Sequence, residues 1–319
     1  MRHLITGAAG FIGSHLCERL LQRGDRVLGI DNFDPFYPRA QKEQNLATAR
    51  SLPQFQFAEL DLRNPAALRD LLQSYEPDTI IHLAAKAGVR PSIANPRDYF
   101  DVNLGGTLNL LSACANQNIT HIVFASSSSV YGNAARSPFR ENDVTDRAES
   151  PYGASKKAGE VLCFTYHQLL KIPITCLRFF TVYGPRQRPD LAIHKFTRLI
   201  DRGEPIPFFG DGTTSRDYTF VSDTVDGIVA ALDRPNACQI FNLGRNDPVT
   251  LASMVQSIEK ALGKRARLDM LPEQIGDVRT TCADVSAANQ ALGYAPKIDF
   301  PDGIARFVRW YRESGGTNF

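Results

Sequence analysis

Thr6-Gly7-Ala8-Ala9-Gly10-Phe11-Ile12-Gly13 follows at once on the short apolar run Arg2-His3-Leu4-Ile5, and that junction decides the fold. The run reads as a buried strand. The spacing of Ile12, Leu16, Leu20 and Leu21 predicts a helix that stops at Gly24. A second strand over 26–30 ends in Asp31. Each glycine has a role in that frame. Gly7 permits the tight turn, Gly10 lets a pyrophosphate reach the backbone, and Gly13 lets helix and strand pack closely. The first helical residues, Phe11 and Ile12, belong to a helix N-terminus that offers free N–H groups and a positive dipole end to phosphates. Asp31 can accept from the adenosine ribose hydroxyls, which favours NAD over NADP, and Asn32 beside it is assigned to the same site.

Strands and helices go on alternating past the middle of the chain. Strands are expected at 55–59, 79–83, 121–125 and 174–179, with helices near 65–74, 101–116 and 154–170. This alternation implies a Rossmann-type doubly wound parallel sheet covered on both faces, an α/β fold. Ligands bind beyond the carboxyl ends of such strands, where residues 83–87, 126–129 and 180–188 fall. After Phe180 the pattern breaks up around Pro185, Pro189, Pro205 and Pro207. A helix over 222–232 and a strand over 239–243 are expected to return to the first layer. The expected division is therefore 1–180 with about 220–244 for NAD. Residues 181–219 and 245–319 form a smaller mixed α/β substrate domain. Residues 33–51 read as a loop with a short helix.

Length and composition fit one large or two modest globular domains: 319 residues with a net charge of +2. No overall basic field points to nucleic acid, and no apolar run is long enough for a bilayer. The N-terminus enters a strand directly, without a basic-then-apolar leader, and a cytoplasmic protein is expected. The six cysteines are scattered and read as buried reduced thiols; neither they nor the six histidines show metal-ligand spacing. His82, at a strand end, reads as a satisfied core histidine.

Tyr152-Gly153-Ala154-Ser155-Lys156 carries the chemistry. Residues four apart share a helix face, so Lys156 can lie beside the Tyr152 hydroxyl and the nicotinamide ribose. A free tyrosine has a pKa of about 10, too high for a base at neutral pH, and a neighbouring ammonium favours phenolate. Upstream, Ser126-Ser127-Ser128-Ser129-Val130-Tyr131-Gly132 puts hydroxyls at a strand end, where they can meet a substrate oxygen.

With these stretches, and with Asp61-Leu62, His82-Leu83-Ala84-Ala85, Asn103, Arg178–Pro185, Arg216-Asp217-Tyr218 and Gly276-Asp277, the chain resembles the extended short-chain dehydrogenase/reductase family. Its members act on nucleotide sugars with tightly held NAD. The resemblance implies Ser127, Tyr152 and Lys156 as the catalytic triad. It places Asp61 and Leu62 near adenine, Leu83, Ala84, Ala85 and Lys86 along the cofactor, and Asn103, Ser126 and Phe179 in the cofactor pocket. Arg216 would meet the sugar-nucleotide diphosphate, and Asp277 is placed with the substrate. Dehydratase members carry an acidic pair where Ser128 and Ser129 stand, and serine hydroxyls cannot do that acid–base work. What remains is oxidation at C4 and return of the hydride. Within the family, the stretch from Thr181 to Ala192 and the run Ala87-Gly88-Val89-Arg90 resemble enzymes of acid sugars. A carboxylate wants hydroxyls and a planar guanidinium, which Ser128, Thr181 and Arg188 supply, and Arg90 is assigned to the substrate too. The expected reaction is 4-epimerisation of UDP-glucuronate to UDP-galacturonate, with UDP-glucose or a UDP-N-acetylhexosamine as the open alternative. Lys86 departs from the Gln common at its position and keeps that alternative open. A homodimer through 101–116 and 154–170 is implied by the resemblance.

Overall fold

Strands β1 (Arg2–Thr6), β2 (Arg26–Asp31), β3 (Phe55–Glu59), β4 (Thr79–His82), β5 (His121–Ser127) and β6 (Ile174–Phe179) build the first layer of the computed structural model. It describes residues 1–133, 137–235, 237–272 and 278–316. Past β6 the chain leaves through β7 (Thr181–Tyr183), β8 (Pro205–Phe209) and β9 (Ser215–Phe220). The helix Val221–Leu232 then leads into β10 (Cys238–Leu243), which pairs with β6. The result is a seven-stranded sheet in the order β10-β6-β5-β4-β1-β2-β3, parallel throughout. This is the doubly wound α/β fold expected from the sequence. β11 (Pro248–Thr250) joins β9 and β7 in a small sheet, and β12 (Arg267–Leu271) pairs with β8.

Alternation along the strands sends side chains into two apolar layers. On β5, Ile122 and Phe124 pack with Leu68, Leu72, Leu110 and Leu111, whereas Val123 and Ala125 pack with Leu16, Leu20 and Ile228. Strands buried on both faces tend to be apolar, which is why Ile80 and Ile81 adjoin at the centre of β4 and residues 122–125 of β5 form an unbroken apolar run. The order reverses at β1, which has β2 on one side and β4 on the other. A crevice beyond the carboxyl ends at this point is the ligand site of such sheets.

Three local features differ from the sequence reading. The helix expected over 101–116 is a π-turn over Asp101–Gly105 followed by an α-helix over Gly106–Ala113. The helix that carries Tyr152 and Lys156 starts earlier than its apolar pattern, at Pro151–Leu170, because Ser150 caps it: the Ser150 hydroxyl accepts from Gly153 N–H at 3.1 Å. Residues 33–51 hold two short helices, Arg39–Asn45 and Ala47–Arg50. His82 is a satisfied core histidine, between the Thr6 and Thr107 hydroxyls at 2.6 and 2.9 Å. All six cysteines are free, and only Cys238 is partly exposed. Among the described residues no helix is long and apolar enough to cross a membrane, and no His, Cys, Asp and Glu group could hold a metal ion.

Candidate active site

A cavity of about 690 Å³ opens beyond the carboxyl ends of the strands, and most of the expected site residues line it. Gly7, Gly10, Phe11, Ile12 and Gly13 form its floor. Gly7 has φ +73°, and a Cβ there would come within 2.8 Å of the Ala84 nitrogen. A Cβ on Gly13 would sit 2.1 Å from the Gly7 carbonyl oxygen. No side chain caps the helix at Gly10, which leaves its first N–H groups to an anion. These observations fit a dinucleotide pyrophosphate. At the end of β2, Asp31 accepts from Ala9 N–H at 3.2 Å and Phe33 N–H at 2.8 Å, which aims the carboxylate. Burial raises its pKa, and Lys42, 3.8 Å away, works against that rise.

Asn32, Asp61, Leu62, Leu83, Ala84, Ala85, Lys86, Ser126 and Phe179 also line the cavity. The Asp61 carboxyl is held well below the usual range by its hydrogen bond from Arg63. Asn103 is not in the wall. It is buried behind it, where its Oδ1 accepts from Lys86 N–H at 2.7 Å and its Nδ2 donates to the Lys86 carbonyl at 2.9 Å. Asn103 lies on the π-turn and fixes the Lys86 backbone from behind the cavity wall. Burial lowers the Lys86 pKa, but ion pairs with Asp98 and Asp34 outweigh it and leave the pKa raised.

Ser127, Tyr152 and Lys156 line the same cavity. The start of the helix Pro151–Leu170 sits tight against the serine turn: a Cβ on Gly153 would lie 2.5 Å from the Ser129 carbonyl oxygen. Ser127 Oγ accepts from Ser129 N–H at 3.2 Å and donates to Ser129 Oγ at 3.2 Å. Desolvation raises the Tyr152 pKa; a hydrogen bond with Ser127 and the charge of Arg188 reduce that rise without cancelling it. Helical spacing alone assigns that electrostatic role to Lys156. Here Lys156 Nζ donates to the Ala125 carbonyl at 2.8 Å, and burial pushes its pKa down to about 8.

Arg188, Thr181, Ser128, Ser129 and Arg216 line the same cavity. Arg188 grips both Asp190 oxygens, at 3.0 and 2.7 Å, reaches the Ala87 carbonyl at 3.4 Å and stacks on Phe36 at 4.8 Å. Arg216 Nη1 donates to the Ser215 carbonyl at 2.9 Å. Arg90 lies elsewhere: it is exposed on the short helix Val89–Ala94, its guanidinium 5.8 Å from the Phe209 ring, and is not part of the cavity wall. Its place in a loop-like Ala-Gly-Val-Arg run gave no warning that a helix would turn it outward. Asp277 lies outside the described residues.

Several residues of the site had no sequence signal of their own. Phe36, Tyr37 and Lys42, from the polar stretch after β2, line the cavity, as do Asp34, Asp98 and Tyr99. Behind the wall, Arg178 holds both Glu160 oxygens at 2.8 and 2.9 Å and donates to the Tyr131 hydroxyl at 2.8 Å; Ser126 Oγ donates to Glu160 at 2.6 Å. Burial would raise the Glu160 pKa, and Arg178 more than reverses it. The pair ties the two ends of the serine turn to the helix Pro151–Leu170. The i, i+4 relation of Lys156 to Glu160 was the available hint.

The sequence profile of the NAD dependent epimerase/dehydratase family matches residues 3–244. A UDP-glucuronate 4-epimerase of Thermodesulfobacterium geofontis is 40% identical over 313 residues, covering 98% of this chain and 96% of the relative. The crystal structure of the UDP-glucuronic acid 4-epimerase of Bacillus cereus, in complex with UDP-glucuronic acid and NAD, superposes with a TM-score of 0.93 at 37% identity, over 98% of this chain and 100% of the other. The UDP-glucose 4-epimerase of Thermotoga maritima, solved with UDP-glucose, gives 0.91 at 28% identity, over 98% and 99%.

Proposed function

Because the chain belongs to the NAD dependent epimerase/dehydratase family, we propose that it converts UDP-glucuronate to UDP-galacturonate by 4-epimerisation with tightly held NAD. One observation carries the reading: Arg188, Thr181 and Ser128 line the same cavity as Ser127, Tyr152 and Lys156. Partners for a carboxylate thus stand beside residues suited to oxidising a sugar alcohol. Relatives that bind or act on the same acid sugar support it.

Bound NAD supplies the acceptor, and then the donor, of the C4 hydride. The glycine turn, Asp31 and the segment 83–86 hold it. Tyr152 takes the proton of the C4 hydroxyl as the hydride leaves, and Ser127 holds the C4 oxygen. Lys156 grips the nicotinamide ribose and, as a cation, favours the Tyr152 phenolate. Arg216 anchors the diphosphate while the planar 4-keto sugar turns about its link to it. Tyr152 then returns the proton with the opposite face presented. The 4-keto acid is a β-keto acid. Arg188, Thr181 and Ser128 hold its carboxylate so that the bond to it does not align with the carbonyl π system. Ser128 and Ser129 offer no acid or base for elimination.

The central sheet, residues 1–180 with 220–244, carries NAD in this reading, and 181–219 with 245–319 carry the UDP-sugar. The protein acts as a homodimer. Val161, Phe164 and Leu169 of the helix Pro151–Leu170 are more than half exposed, and Leu108 of the helix Gly106–Ala113 is exposed as well. A cytoplasmic setting suits six free thiols. A panel of UDP-sugars given to the purified protein tests the substrate: UDP-glucuronate should have the highest kcat/KM, and a preference for UDP-glucose or UDP-N-acetylglucosamine would reject the acid-sugar reading.

A further inference from the structure

On the adenosine side of the cleft the polar contacts close into a ring. Asn32 Nδ2 donates to Asp61 at 2.9 Å, and Asn32 Oδ1 accepts from the backbone N–H of Asp34 at 3.0 Å. The Asp34 carboxylate is 3.2 Å from Lys86 Nζ, which also pairs with Asp98. Arg63 stands 3.9 Å from Asp98 and returns to Asp61 at 2.7 Å. All of these but Arg63 line the cavity.

The ring joins segments that are distant in sequence. Asn32 and Asp34 follow β2, Asp61 and Arg63 follow β3, Lys86 follows β4, and Asp98 lies on the short helix Pro96–Phe100. β2 and β4 flank β1 on opposite sides, so the Lys86–Asp34 contact spans the glycine turn that follows β1. Lys86 has its backbone fixed by Asn103 at both N–H and C=O, which leaves its side chain as the movable part. Asp34 heads the segment that runs on to Phe36, stacked under Arg188, and its carbonyl accepts from Lys42 at 2.9 Å.

We propose that this ring is a clasp which retains NAD between turnovers, with Lys86 as the buckle tying residues 32–38 to the helix Pro96–Phe100. The inference rests on the reading of the cleft as an NAD site. A cofactor that is regenerated in every cycle gains nothing from leaving, and a clasp slows its escape without touching the reacting atoms. Lys86, Asp34 and Asp98 keep about a quarter of their side-chain surface exposed. Such pairs are individually modest, so loss of both contacts of Lys86 should speed NAD release by roughly 3- to 30-fold.

The competing role for Lys86 is simple attraction of the cofactor diphosphate. Its acidic partners separate the two, because the signs differ. Freed from Asp98, an attracting Lys86 would hold NAD as well or better, whereas a broken clasp lets it go. The experiment loads wild type, Lys86→Gln, Asp98→Asn and the double variant with NAD and checks their melting temperatures. Release is then followed by diluting the holoproteins into an NAD-consuming trap at low and high salt. The clasp requires faster release in both single variants, no further gain in the double variant, and wild-type release that quickens with salt. Faster release in Lys86→Gln with unchanged or slower release in Asp98→Asn overturns it, as does wild-type release that is flat in salt. Should Lys86→Gln not fold, Asp98→Asn and the salt response decide alone. A protein that takes up no NAD would overturn the cofactor reading beneath the proposal, whereas NAD bound and released alike by all variants overturns the clasp only.

Discussion

Arg188→Ala separates recognition of the sugar carboxylate from everything else this arginine does. Its guanidinium sits in the cavity wall, held in the plane of Asp190 by two hydrogen bonds and set on Phe36. In the proposed complex it donates to the substrate carboxylate. Losing charge-assisted hydrogen bonds in a partly desolvated pocket costs about 1.5–3 kcal/mol. At about 1.4 kcal/mol per factor of ten, kcat/KM for UDP-glucuronate should fall roughly 10- to 150-fold. The same truncation also strands Asp190 and unstacks Phe36, a loss of about 1 kcal/mol that reaches every substrate alike. The informative quantity is therefore the ratio of kcat/KM for UDP-glucuronate to that for UDP-glucose, in wild type and variant, by coupled assay of the 4-epimer. Only the carboxylate contribution survives in that ratio. A ratio unchanged by the substitution, with both substrates falling together, would refute the assignment and leave Arg188 a structural residue.

Tyr152→Phe removes the proton carrier and keeps the glycine cradle, so turnover should drop by about 10²–10⁴-fold while NAD, measured after denaturation, stays with the protein; activity within a few-fold of wild type would take Tyr152 out of the mechanism. Gly153→Ala would put a Cβ 2.5 Å from the Ser129 carbonyl oxygen, so the serine turn must shift and kcat should fall at least tenfold, with a lowered melting temperature. Normal kcat would show that Ser127 and Ser128 need no such fixed position. Lys156, with a pKa lowered to about 8, is charged below that pH and neutral above it. Activity that depends on the cation should decline as pH rises through this range, and a rate flat to about pH 10 would contradict the role.

What the chain reveals in one dimension is what local geometry fixes. The glycine turn, Asp31 and the Tyr152–Lys156 spacing each depend on a single strand, turn or helix, and each stands where the pattern put it. Residues that act through tertiary contact carry no such signature. Lys42 approaches Asp31 only because a short helix folds back over β2. Glu160 and Arg178, 18 positions apart, meet because a helix and its following strand lie side by side. Asn103 belongs to the site through a π-turn that apolar periodicity cannot distinguish from an ordinary helix. Arg90 shows the opposite limit: its run resembles an acid-sugar motif, yet a helical turn leaves the side chain on Phe209. Tyr152 is a similar lesson in electrostatics. Spacing names its neighbour on the helix, but it is Ser127 and Arg188, from other segments, that oppose its desolvation, and the pKa stays raised.

The most direct test of the proposed chemistry is to incubate the NAD-loaded protein with UDP-glucuronate in heavy water, without further cofactor, and to follow the sugar by proton NMR. The expected result is UDP-galacturonate carrying protium at C4, in equilibrium with the starting material and with no loss of carbon dioxide. Deuterium at C4, a UDP-pentose with released carbon dioxide, or no conversion at all would contradict it.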